Sequence, residues 1–575
     1  MSDVVGRARD WILGDPDHRT RAELSALIDS GNRTELADRM DGTLAFGTAG
    51  LRGIVEAGSN RMNRATVIRA TRGLADYLLA RHGGAPAGPV VVGRDARPSS
   101  SDFMRDAVGV LSAAGLEVRF WEEEVPTPLV AYAVRFLGAC AGVMITASHN
   151  PPRDNGYKVY DANGAQIIPP VDAGISAAID RVGAAVDVPL MDAPLEEAER
   201  AGPVSPDVWD RYRKELARLR STATVDPGLR IVYTPMHGVG WRYIRELLVD
   251  AGYRDVHPVD EQAEPDGRFP TLPFPNPEEP GAMDLALGLA RRVDADLVLA
   301  NDPDADRLGV AVPGVDGWVG LTGNQVGVLL ADYVLSRRPA GGDLRGRQPL
   351  VVSTIVSSPM ARLVAAARGA RFETTLTGFK WIMNAALDIE AEGRGALAFG
   401  FEEALGHAVG GLVYDKDGMS AALFMADLAS ECRKRGETVL DRLEALYRRH
   451  GLWVSVQRSV RRPGSAGASE IAGAMRRLAQ DPPDRLGGVD VVGMTDYRKG
   501  AGGRPRWLGA ASLIELRLQD RTRVLVRPSG TEPKLKMYVD STHPVTGSDD
   551  PSGIECDLES HAGAVASDLA GHIGL

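Results

Sequence analysis

The sequence predicts a multidomain α/β protein with largely parallel sheets and a smaller α+β unit at its C-terminal end. Three observations lead there. The 575 residues make about three to five domains at roughly 100–200 residues each. Short apolar runs rich in β-branched residues end in polar loops bearing Gly or Pro, and helical patterns follow them. Val90-Val91-Val92, Gly142-Val143-Met144-Ile145, Ile231-Val232-Tyr233, Leu297-Val298-Leu299-Ala300, Leu350-Val351-Val352 and Ala396-Leu397-Ala398-Phe399 are the clearest. Continuous apolar strands alternating with helices fit parallel sheets covered on both faces. From about Trp453 the chain alternates instead, as a half-exposed strand does.

From the N-terminus onward, residues 1–40 read as a helical extension. Ser205-Pro206 reads as a cap and first helical position, and Trp209, Tyr212, Leu216 and Leu219 follow at helical spacing. A connecting helix therefore separates a first domain from a second. Residues 337–349, rich in Gly, Pro and Arg, form a surface connection. The last strand runs into Arg527-Pro528-Ser529-Gly530, and a loop after Asp540 precedes a final amphipathic helix. The expected domains are residues 1–204, 205–338, 339–450 and 451–575.

Composition excludes several classes. Hydrophobic residues at 44% and charged residues at 25% are ordinary globular values, against wholesale disorder. A net charge of −11, without a basic stretch studded with aromatics, argues against a nucleic-acid partner. Three cysteines and no CxxC pair exclude a disulfide framework and a zinc or redox pair of that type. The charged start lacks the apolar core of a secretory signal, and no run approaches the ~18 apolar residues of a membrane span. The expectation is a cytoplasmic protein without membrane contact.

In α/β sheets of this kind ligands sit beyond the carboxyl ends of strands, so the strand-end loops should carry the chemistry. Asn301-Asp302-Pro303-Asp304-Ala305-Asp306-Arg307 offers three carboxylates at alternate positions. Oxygen-only ligands suit Mg²⁺ or Mn²⁺. An EF-hand fails, because Arg307 stands where that loop needs Gly and Pro313 where it needs Glu. Thr146-Ala147-Ser148-His149-Asn150-Pro151-Pro152 puts Ser148 at a strand end, without the G-x-S-x-G elbow of a serine hydrolase. A serine beside a divalent cation and basic groups suits phosphoryl transfer better than acyl transfer.

Arg527-Pro528-Ser529-Gly530-Thr531 offers a guanidinium, two hydroxyls and free backbone N–H groups, the parts of a phosphate cradle. Glu402 and Glu403 end another strand with acceptors suited to sugar hydroxyls. Gly47-Thr48-Ala49-Gly50-Leu51-Arg52-Gly53 delivers one arginine, and Leu376-Thr377-Gly378-Phe379-Lys380-Trp381 one lysine. Only 8 of the 66 basic residues are lysine, and five of these (Lys158, Lys380, Lys416, Lys534 and Lys536) lie in or beside such loops. The arginine excess fits codon bias; the retained lysines mark places where a compact ammonium differs from a guanidinium.

In this order, FGTAGLRG, TASHNPPRDNGYKVY, NDPDADRLGV, TLTGFKWI, GFEEALG and VRPSGTEPKLK resemble the motif set of the α-D-phosphohexomutase superfamily of phosphoglucomutases and phosphomannomutases. The likeness is greatest to the phosphoglucomutase-2 type branch, in which phosphopentomutase activity is also known. The resemblance implies four domains around one central cleft, three similar α/β domains plus a smaller C-terminal α+β domain. It makes Ser148 the phosphoryl carrier and gives one Mg²⁺ per chain to Asp302, Asp304, Asp306 and an oxygen on Ser148. Arg52, His149, Lys158 and Arg307 match positions near the transferring group. Thr377, Gly378, Lys380, Glu402, Glu403 and His407 fall to the sugar, and Arg527, Ser529, Gly530 and Thr531 to the non-reacting phosphate. Lys158 is the candidate for moving the hydroxyl proton, since a lysine among cations can titrate low.

The expected activity is a phosphosugar mutase interconverting hexose 1- and 6-phosphates of glucose or mannose, with a sugar bisphosphate as activator. Phosphosugars are its small-molecule partners, and a monomer or homodimer is expected. Phosphopentomutase and glucose 1,6-bisphosphate synthase stand as alternatives, because Ala404 occupies a place where many hexomutases have Ser. His407 stands one residue beyond the histidine of some phosphomannomutases.

Overall fold

The computed structural model describes residues 4–44, 50–84, 88–191, 200–220, 223–337, 346–462, 464–529 and 534–575. Gly47, Thr48 and Ala49 of the first loop, most of the 337–349 connection, and Gly530 and Thr531 lie outside them. The chain divides into two units, Met1–Pro313 with Gly411–Asp427, and Gly314–Gly410 with Leu428–Leu575.

In the first unit, helices Val4–Gly14, His18–Asp29 and Arg33–Met40 form the N-terminal extension. Asp17 and Asn32 cap the second and third by accepting the backbone N–H of Arg19 and Glu35. Ala8, Leu24, Leu36 and Met40 close a small core with Ala57. A six-stranded sheet follows, in the order Leu51–Ile54, Asp154–Asp161, Ala141–Ile145, Val90–Arg94, Val118–Phe120, Ala201–Pro203. The last four run parallel. Asp154–Asp161 runs antiparallel to both of its neighbours. The sheet is thus mixed rather than wholly parallel at one edge, and the segment Asp-Asn-Gly-Tyr-Lys-Val-Tyr-Asp buries its middle six residues behind charged ends. That antiparallel return turns the stretch around Ser148 into a hairpin loop and pairs Lys158 with Met144.

The connecting helix spans Asp207–Leu219, one residue later than its sequence suggests. Pro206 precedes it, and Ser205 Oγ accepts the N–H of Asp207 at 3.2 Å. Four strands of a second sheet run in the order Gly309–Gly314, Leu297–Ala300, Arg230–Thr234 and Asp255–Pro258, parallel except for the first pair. Buried carboxylates tie Gly411–Asp427 into this unit. Tyr160 and Gln166 donate to Asp415 at 2.7 and 2.8 Å, Tyr212 donates to Asp417 at 2.7 Å, and Tyr253 and Arg220 donate to Asp427.

The second unit pairs Arg371–Thr375, Pro349–Thr354, Ala396–Glu402 and Gly406–Val409, parallel except for the last hairpin. Its other sheet is antiparallel, in the order Leu452–Arg461, Lys534–His543, Arg523–Pro528, Ile514–Leu518, Val489–Asp496, Arg485–Leu486. Helices Gly464–Gln480 and Pro551–His572 pack against it through Leu478, Val565 and Leu569. Among the described residues no helix is long and apolar enough to cross a membrane.

Candidate active site

The strand Ala141–Ile145 ends at Thr146, whose Oγ1 accepts the N–H of Ser148 at 2.8 Å. Ser148 then takes a φ of +52°, a left-handed conformation that serine rarely adopts. Its Oγ donates to Asp302 Oδ2 at 2.6 Å and lies 3.1 Å from His149 Nδ1. From the strand Leu51–Ile54, Arg52 donates to Asn150 Oδ1 at 2.9 Å, so the arginine reaches the same loop.

Asp302, Asp304 and Asp306 follow the strand Leu297–Ala300, and a left-handed Ala305 (φ +55°) turns them inward. All three are buried, each offering an oxygen within 4.8 Å of the others. Asp302 Oδ1 accepts the N–H of Arg307 at 3.0 Å. Asp304 Oδ2 accepts from Lys158 Nζ at 2.7 Å, and Asp306 Oδ2 accepts from the same ammonium at 3.0 Å. The remaining oxygens, Asp304 Oδ1 and Asp306 Oδ1, are buried without a hydrogen-bond partner. Buried polar atoms are ordinarily satisfied, so two orphaned carboxylate oxygens in an oxygen-only set fit a hard divalent cation.

Electrostatics follow from this packing. Burial, reinforced by the charges of Asp304 and Asp306, holds Asp302 well above the usual carboxylate range. Burial also pushes Asp306 up, but Lys158 and Lys416 outweigh it and hold it low. Desolvation and the charges of Arg307 and Arg52 push His149 well below the usual imidazole range, so it is neutral. The expectation that Lys158 sits among cations and titrates low is corrected. Burial does push it down, yet Asp304 and Asp306 outweigh burial and hold it above the ordinary lysine range.

In the second unit, Glu402 ends its strand and Leu405 takes a φ of +61° in the turn that follows. Glu403 Oε2 accepts from Thr354 and Ser357 at 3.1 and 3.3 Å. Tyr538 is buried and feels the charges of both Glu403 and Arg527. Burial and then the charge of Glu403 push its phenol up to about 12, against the pull of Arg527. Arg527 keeps a buried Nε without a hydrogen-bond partner, as an anion-binding guanidinium would. Ser529 donates its N–H to Lys534 O at 2.7 Å. Gly378, at φ +112°, opens the helix Phe379–Ala391, which carries Lys380 in its first turn, and the neighbouring Leu376 N–H donates to Trp507 O at 2.8 Å. Thr377 is half-buried beside it. His407 is fully buried and lies 6.2 Å from the Phe399 ring.

Models of the phosphoglucomutase/phosphomannomutase family match residues 43–185, 210–316 and 322–450 as its alpha/beta/alpha domains I, II and III, and 505–545 as its C-terminal domain. A probable phosphomannomutase of Haemophilus influenzae is 39% identical, over 84% of this chain and 93% of its own length. The chain belongs to the α-D-phosphohexomutase superfamily. A probable phosphoribomutase of Schizosaccharomyces pombe is 35% identical, over 92% of each chain. The solved structure of a Paramecium phosphoglucomutase (pp63/parafusin, open form) shares the fold with a TM-score of 0.70 at 18% identity, covering 92% of this chain and 96% of that one. The four-domain α/β architecture and the mutase class of this enzyme follow.

Within the mutase's first unit Ser148, His149, Lys158, Arg52, Arg307 and the Asp triad converge through the bonds described. Sequence reasoning left Thr127 and Lys416 out of the site. Thr127 donates its N–H to Asp304 O at 3.0 Å and its Oγ1 to Asp304 Oδ2 at 2.7 Å; a Thr-Pro helix start carries no signal for that. Lys416 lies 3.2 Å from Asp306 Oδ2, and the scarcity of lysine was the one hint.

Proposed function

We propose that the mutase interconverts the 1- and 6-phosphates of glucose or mannose through a phosphoserine at Ser148 and a bisphosphorylated sugar. One observation carries this reading: Ser148 Oγ is held 2.6 Å from Asp302, in a triad with two orphaned oxygens. Asp302, Asp304, Asp306 and Ser148 would hold one Mg²⁺, which when bound supplies positive charge against the phosphoryl oxygens. The Oγ–P bond of phosphoserine breaks as a P–O bond forms to the free hydroxyl of the sugar monophosphate, whose proton ends on the freed Ser148 Oγ. The bisphosphate turns over in the site, and its other sugar O–P bond breaks as that phosphoryl group passes to Ser148, whose hydroxyl proton ends on the freed sugar oxygen. Neutral His149 presents Nδ1 3.1 Å from Ser148 Oγ. Lys158, charged between Asp304 and Asp306, keeps the carboxylates ionised.

Arg527, Ser529, Gly530 and Thr531 hold whichever phosphate is not reacting, so remote binding energy positions the reacting end. Thr377, Gly378, Lys380, Glu402, Glu403 and His407 belong to the sugar loops in this reading. A sugar bisphosphate acts as activator because it loads Ser148. The free cysteines Cys140, Cys432 and Cys556 support a reducing, cytoplasmic compartment. A second reading, pentose 1- and 5-phosphates, is favoured by Ala404, which offers a methyl where serine would bond a sugar hydroxyl. The phosphoribomutase relative supports it as well.

Turnover on glucose 1-phosphate, mannose 1-phosphate and ribose 1-phosphate, each with its bisphosphate, separates the readings. A hexose phosphate should give the highest kcat/KM. A ribose preference selects the second reading, and no isomerisation of any of the three sinks both. Ser148→Ala should cut turnover by about 1000-fold or more at an unchanged unfolding midpoint; retained turnover would remove the phosphoserine.

A further inference from the structure

Arg97 stands outside the motifs that mark the site, in the loop after the strand Val90–Arg94. Its side chain is 1% exposed. A guanidinium carries five N–H donors in a rigid fork, and here all five are engaged. Nε donates to Asp95 Oδ2 at 3.2 Å. Nη1 donates to the carbonyls of Pro151 and Asp154 at 2.6 and 2.8 Å, and Nη2 to those of Ser148 and Asn150 at 2.7 and 2.6 Å. Asp95 orients the fork: its Oδ1 accepts the N–H of Arg97 at 3.0 Å and the hydroxyl of Ser100 at 2.6 Å. The ring of Phe269 covers the guanidinium at 5.1 Å.

Four carbonyls from the residues 148–154 therefore point at one buried cation. The Pro151 carbonyl also accepts the N–H of Asp154 at 3.0 Å, but without Arg97 the inward-turned carbonyls of Ser148, Asn150 and Asp154 would be left as orphaned acceptors, and the loop would relax outward. Ser148 itself is left-handed, a state that persists where surrounding bonds over-determine it. We infer that Arg97 is a positioning residue of the phosphoryl carrier: its fork holds the Ser148 loop in the turn that aims Oγ at Asp302. This rests on the reading of Ser148 as the phosphorylated residue.

The test uses full-length enzyme carrying Arg97→Lys, which keeps the charge but has three donors for five acceptors. Ser148 phosphorylation by saturating glucose 1,6-bisphosphate is followed by quench and intact mass, alongside steady-state turnover and the unfolding midpoint. Misplacement by about an ångström costs on the order of 100-fold, so the labelling rate and kcat should fall about 100-fold while KM stays within about threefold. Asp95→Asn, which loosens the fork without removing it, should give a smaller fall of the same kind. Wild-type labelling rates in Arg97→Lys, or a rise in KM at unchanged kcat, overturn the inference. So does loss of the fold in both variants, since the arginine would then be scaffold alone. Wild-type enzyme that takes no phosphoryl group on Ser148 strikes the underlying reading instead.

Discussion

Lys158 and His407 are both fully buried, and burial pushes both toward their neutral forms. Two carboxylates at 2.7 and 3.0 Å reverse that push for Lys158. His407 has the Phe399 ring beside it and is held down to about 4. The consequence for stability has a definite sign. In the unfolded chain the imidazole takes up a proton near pH 6.5, whereas in the folded unit it does so only near 4. The unfolded state therefore binds more protons in that window, and stability falls as pH drops from about 6.5 to 4. The full shift corresponds to about 3 kcal/mol. In His407→Gln, the stability lost between about pH 7 and pH 4.5, from urea unfolding, should be smaller than in wild type by roughly 2 kcal/mol. An equal loss in both proteins would show that this imidazole is not buried neutral.

Between elements, close approach of backbone decides more than side-chain chemistry. The loop after Arg230–Thr234 presses on the loop that carries the Asp triad: Val239 N–H donates to Pro303 O at 2.9 Å, and a Cβ on Gly238 would stand 2.3 Å from Pro303 Cα. Gly238→Ala should therefore displace the segment carrying Asp302 and Asp304, at about 1–3 kcal/mol. The measurement is the unfolding midpoint with and without millimolar Mg²⁺; the variant should lose most of the Mg²⁺-dependent rise, and a wild-type rise would show that the contact leaves the triad in place. This contact also marks the limit of local reading. Ser148 and the triad are legible because their chemistry is spaced within one loop each, directly after an apolar strand. Thr127, Arg97 and Lys416 act from other segments, and the distance between segments is set by sheet order, which local periodicity does not encode. The strand Asp154–Asp161 escapes for a related reason: its charged ends mask six buried residues, and with it goes the hairpin that presents Ser148.

The whole molecule departs from linear domain order. Residues 411–427 are counted with a third domain in the chain, yet they complete the first unit. Asp415, Asp417 and Asp427 are at most 1% exposed. They accept the hydroxyls of Tyr160, Tyr212 and Tyr253, three of the largest fully buried side chains. A fragment ending at residue 313 leaves those hydroxyls and the Arg220 guanidinium without their anions. At about 1–3 kcal/mol for each orphaned group, the loss is comparable to the 5–15 kcal/mol that typically holds a domain together. The fragment 1–313 should accordingly lack a cooperative thermal transition and digest rapidly with protease. Adding a synthetic peptide of residues 411–434 should restore the transition in proportion to its concentration, since a ligand of the folded state stabilises by mass action. Replacing the peptide's Asp417 by Asn should weaken that rescue, because an amide accepts the Tyr212 hydroxyl less strongly than a carboxylate. A fragment 1–313 that melts cooperatively without the peptide would show that the first unit does not need its second segment.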